Sequence, residues 1–130
     1  MTTTGTPAGN TAISSSTDAP AGVVIDWMRH GISLCHDLLW AADMLIHRGR
    51  MSQVEKKRLE HELQIRQRVL DKFLGARVTL TPLEEVWRRY ILAHIGLEIQ
   101  RYAGEIDQAE FLTRCKALRE KRHEEGRRCV

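Results

Sequence analysis

The stretch TPLEEVWRRYILAHIGLEIQRY, residues 81–102, decides the fold. Thr81 with Glu84 is a capping box, in which the threonine oxygen accepts from the backbone N–H three positions on and the glutamate reaches back. Pro82 falls at the first helical position, where its missing N–H is not needed. Beyond it Leu83, Val86, Trp87, Tyr90, Ile91, Ile95, Leu97 and Ile99 cover most of the circumference at helical spacing. A helix apolar nearly all round packs on several sides. This segment is therefore expected at the centre of a helical domain.

The same punctuation recurs on either side. Ser52 with Glu55 and Asp107 with Glu110 repeat the capping box, and Ile106 with Phe111 adds an apolar staple across the last start. Gly49, Gly75, Gly104 and Gly126 each follow a helix-periodic segment, as glycines that end helices do. Four helices are predicted, over about 24–48, 53–74, 82–103 and 108–124. The first is strongly amphipathic, with Ile25, Met28, Ile32, Cys35, Leu38, Leu39, Ala42, Leu45 and Ile46 on one broad face. In the second, Glu62 and Arg66 are spaced to pair as i,i+4 neighbours. The fourth offers only a narrow stripe, Phe111, Cys115 and Leu118, and is expected at the periphery. Short connections favour antiparallel neighbours. The expected fold is all-α: a compact four-helix bundle-like domain over 23–126, with the third helix central. The alternating stretch 76–80 reads as a loop, since a lone strand has nothing to pair with.

The ends differ from this domain. Residues 1–22 hold one charged side chain, Asp18, and little large apolar material besides Ile13. Such a composition does not offset the entropy of ordering the chain, which predicts a flexible tail. Uncharged Ser/Thr-rich leaders also occur on proteins exported by injection-type machines. Residues 127–130 read as a basic C-terminal tail. No apolar run approaches the roughly 20 residues of a membrane span. Cys35, Cys115 and Cys129 are odd in number and contain no C-x-x-C, which fits reduced thiols and a cytoplasmic location rather than a zinc ribbon or a redox dithiol.

Three constellations carry what chemistry the sequence offers. His36, Trp40, Asp43 and His47 recur at i, i+4, i+7 and i+11, on the polar side of the first helix. His36 and His47 stand about 16 Å apart along such a helix, too far to share one metal ion. Trp40 on an otherwise polar face instead points to a contact with another protein, because tryptophan is enriched where a few residues dominate binding. Flanking histidines would make such a contact respond to pH near neutrality.

The second is His94, Glu98 and Arg101, spaced i, i+4 and i+7 inside the apolar arc of the third helix. An imidazole bonded to a carboxylate that is itself paired with a guanidinium would satisfy all three as a core network. A catalytic or metal role around His94 and Glu98 is the weaker reading. Phosphate loops, nucleophile elbows, EF-hands, H-E-x-x-H and the paired E-x-x-H of di-iron bundles are absent.

The third is basic. The net charge of +3 is uneven: residues 50–77 and 111–130 each carry a local +4, and the rest is acidic. Lys56, Lys57 and Arg68 in the second helix, with Arg114, Arg119 and Arg122 in the fourth, are the candidate phosphate contacts of a nucleic-acid-associated regulator. The connection between the second and third helices, about six residues, is too long for the three- or four-residue turn of a helix-turn-helix, and no aromatic stacking platform adjoins the basic segments. The leading expectation is a small non-enzymatic helical protein, with neither cofactor nor metal, that acts through its helix faces as an adaptor, an assembly component, or an inhibitor or regulator of a larger machine. Another protein is its expected partner, with self-association a further expectation.

Overall fold

The computed structural model describes residues 19–129. Within them the chain forms α1 (Ala21–Trp40), α2 (Ala42–His47), α3 (Gln53–Phe73), α4 (Pro82–Tyr102) and α5 (Gln108–Arg127), with no strand. The fold is all-α, and no helix among the described residues is long and apolar enough to cross a membrane.

Local signals place most helix ends. Ser52 Oγ accepts from the Glu55 N–H at 3.1 Å while the Ser52 N–H donates to Glu55 Oε1 at 3.0 Å. Thr81 and Glu84 repeat both arms, at 3.2 and 2.9 Å. Asp107 accepts from the Glu110 N–H at 2.8 Å, but Glu110 pairs with Arg114 and does not reach back, so this capping box is only half formed. Ile106 and Phe111, the predicted staple, are both buried. Gly49, Gly75 and Gly104 take φ of 70°, 99° and 77°, a backbone conformation that costs glycine little.

Three boundaries depart from the sequence reading. The helix predicted over 24–48 begins at Ala21 and is interrupted at Ala41, giving α1 and α2. Alanine has the highest helix propensity, so local preference does not explain the break. Ala42 beside it is fully buried, which points to tertiary packing as the cause. At the other end Gly126 does not stop a helix, and Arg127, assigned to a tail, is helical. The last turn is held against α4, where Arg89 pairs with Glu125 at 3.7 Å and Leu83 packs near Gly126. The tail predicted over 1–22 lies outside the described residues as far as position 18, and Ala21 and Gly22 already belong to α1.

The helices pair as two antiparallel hairpins. In the first, α1 and α3 meet at Cys35–Glu62 and at Gly31–Arg66. In the second, α4 and α5 meet at Arg89–Glu125 and where Arg101 lies 4.6 Å over the Phe111 ring. The start of α4 is fixed to α3 by Arg68 Nε donating to Glu84 Oε2 at 2.6 Å, and its end reaches α1, where Tyr102 meets Trp27. Helix α4 therefore crosses the first hairpin from α3 to α1.

Val24, Met28, Ile32, Ile65, Val69, Leu70, Ile91 and Ile95 fill that crossing. Leu97, Ile106, Phe111 and Cys115 form a second, smaller core under α5. Burying one such aliphatic side chain contributes on the order of 1.5–3 kcal/mol. The α4 helix touches α1, α3 and α5, which is the position its all-round apolarity predicts.

Candidate docking surface

Helix α1 turns Val24, Met28, Ile32 and Cys35 inward, and His36 and Trp40 project outward. Trp40 is 92% exposed. His36 and His47 are exposed beside it in the chain. The interruption at Ala41 divides the predicted face, so Asp43 and His47 extend from α2 rather than from the same helix as Trp40. Asp43 Oδ1 accepts from Lys56 Nζ at 3.0 Å. Two residues from different predicted constellations thus pair, clamping α2 to the start of α3.

The other cations are also largely engaged. Arg68 donates to Glu84 and, at 2.8 Å, to the Thr79 carbonyl, while Lys72 donates to the Val78 carbonyl, so the loop read over 76–80 is tied to α3. Burial pushes the Glu84 carboxyl up, but the Thr81 N–H and Arg68 outweigh it and hold the group below the ordinary carboxylate value. Arg114 pairs with Glu110. Arg122 is half-buried, its guanidinium 4.2 Å over Trp87 and 4.5 Å over Tyr90, and burial lowers its pKa. Lys57 and Arg119 are exposed.

The expected network on α4 forms only in part. Arg101 donates two hydrogen bonds to Glu98 Oε1, at 3.2 and 2.7 Å. His94 makes no hydrogen bond to Glu98 among the described residues; its half-buried ring lies between Tyr90 and Phe111, 6.0 Å from each. Burial is the chief cause that holds the His94 pKa below its ordinary value. Glu98 opposes the shift, while Arg66, Arg119 and Arg101 reinforce it. Among the described residues no group of three or more His, Cys, Asp or Glu side chains is placed to hold a metal ion. Glu120 and His123, a single E-x-x-H that sequence reasoning passed over, are both exposed on α5.

One polar cluster was legible only in part: the Glu62–Arg66 pair expected from the i,i+4 spacing forms, and Cys35 joins it from another helix. Glu62 Oε2 accepts from Arg66 Nε at 2.9 Å and from the Cys35 thiol at 3.4 Å. Burial foremost, then the Glu62 charge, push the thiol up to about 11, so Cys35 stays protonated at neutral pH. Arg66 lies against α1 because Gly31 has no side chain there, and its guanidinium sits 5.7 Å over Trp87. A lone glycine inside an amphipathic helix is the signal in the sequence that marks such a close crossing. Beside it a groove of about 350 Å³ opens between α1, α3 and α4, with Leu34, Leu38, His94 and Glu98 on its walls. Leu34 and Leu38 are about half exposed.

Comparison with protein-family models, with curated proteins and with solved structures found no match.

Proposed function

We propose that this chain is a small non-enzymatic docking protein, an adaptor or regulator of a larger assembly, whose contact with another protein centres on Trp40. The observation that carries this reading is the exposure of Trp40, at 92%, on a helix whose core-facing side is already buried. An indole left in water costs solubility and contributes nothing to the core, whereas in a contact it supplies large apolar area at a small cost in rotamer freedom. His36 and Asp43, exposed four positions before and three after Trp40 in the chain, would supply the polar rim that shields a central anchor from solvent.

A photo-reactive amino acid placed at position 40 tests the reading in cells that express the protein, with the same group at exposed Gln64 on α3 as control. The docking reading expects a defined protein adduct from position 40 that is absent from position 64. Identical adduct patterns from both positions would refute it.

A further inference from the structure

A second surface is chemically more specific about what it would hold. Val23, Asp26, Trp27 and His30 recur at i, i+3, i+4 and i+7, on one face of α1, and Tyr102 reaches them from the last turn of α4. The Trp27 and Tyr102 rings have centroids 5.7 Å apart and planes inclined at 51°, so they form an open corner rather than a stack. The His30 ring meets Trp27 edge-on, 5.8 Å away at 85°. With Val23 and the Asp26 side chain these rings line an open cleft of about 390 Å³. Tyr102 is 73% exposed, so its ring makes this corner without the gain of being buried.

We infer that the corner binds an alkylammonium group, a quaternary or methylated amine, with its methyl groups against Trp27 and Tyr102 and its charge beside Asp26. Aromatic faces carry negative quadrupole charge and attract cations, tryptophan most strongly. A quaternary ammonium has an apolar skin and no N–H groups to satisfy, and each methyl added to an amine removes one, so such a group loses little on entering a cleft without directed acceptors. The Asp26 carboxylate supplies the opposite charge and disfavours anions. The Arg101 guanidinium also lies near Tyr102, 5.1 Å from its centroid. Two hydrogen bonds to Glu98 answer that charge, so Arg101 braces the ring rather than competing for the corner.

Two-dimensional NMR of the full chain tests the site, with choline chloride exchanged for sodium chloride at constant ionic strength. Saturating shifts are expected at the Trp27 indole N–H and the Tyr102 ring. The neutral isostere 3,3-dimethylbutan-1-ol should bind about tenfold more weakly. Tyr102→Leu should abolish saturation while leaving the thermal midpoint unchanged, since the ring is exposed, and Asp26→Asn should weaken binding several-fold. Shifts that never saturate, that persist in Tyr102→Leu, or that are matched by the neutral isostere would overturn the assignment. A peptide bearing trimethyllysine distinguishes the source: binding tighter than choline assigns a protein side chain, and binding equal to choline assigns a free amine, both through the same corner.

Discussion

Arg66 occupies the space that a side chain at position 31 would need: a Cβ on Gly31 would stand 2.6 Å from Arg66 Nη1. The obstructing atom is the end of a flexible side chain, so it can move. Moving it, however, disturbs the Nε bond to Glu62 and the placement over Trp87. Replacing glycine by alanine in a helix gains about 1 kcal/mol from propensity alone. In Gly31→Ala that gain is offset by the displaced arginine, and the net change should lie within about 1 kcal/mol of zero. In an Arg66→Ala background the same substitution should stabilise by close to the full propensity gain. Denaturant unfolding of the double-mutant cycle measures the difference; a cycle with no coupling would show that Arg66 and Gly31 are independent.

The capping residues differ in what depends on them. Thr81 closes both arms of its box, and its partner Glu84 also receives Arg68 from α3. Asp107 closes one arm on an exposed surface. Thr81→Ala should therefore cost about 1–2 kcal/mol and Asp107→Ala about 0.5–1 kcal/mol. Chemical denaturation of the two variants orders them, and the reverse order would contradict the role given to the Glu84–Arg68 link.

The pH dependence around His94 has a definite sign. Its folded-state pKa lies below the ordinary 6.5, so the unfolded chain takes up the proton first. Stability should be fully present above about pH 6.5, fall as the pH drops through that value, and level off below the folded-state pKa. His94→Phe keeps a ring between Tyr90 and Phe111 without a titrating group, and should flatten this part of the profile. Urea midpoints between pH 7.5 and 5 read the difference. A wild-type profile no steeper than that of His94→Phe would contradict the assignment.

Features that depend on near neighbours were legible in the residues themselves. Ser52–Glu55, Thr81–Glu84 and Ile106–Phe111 act across three to five positions, and the all-round apolarity of 82–102 marked α4 as the helix in contact with both hairpins. What was not legible depends on distant partners. The break at Ala41, beside the fully buried Ala42, and the helical conformation of Gly126, next to Leu83, run against local preference. Cys35 and Glu62 are 27 positions apart, and only the hairpin brings them together. Arg122 read as a candidate phosphate contact because its sequence neighbours are basic, whereas its guanidinium lies over the Trp87 and Tyr90 rings of another helix. For Trp40 the periodicity already set the ring apart from the apolar face, and the outward position is the one the structure displays.

The docking role of Trp40 is tested most directly by comparing Trp40→Ala with the wild type in two measurements on the same samples. One is affinity for the protein recovered by cross-linking from position 40; the other is the thermal midpoint. The substitution removes a fully solvated side chain, so stability should change by no more than about 0.5 kcal/mol. Binding should weaken by tenfold or more, the loss of about 1.4 kcal/mol or above that truncation of a central anchor produces. A binding curve that superimposes on the wild type, with the fold intact, would contradict the proposed docking surface.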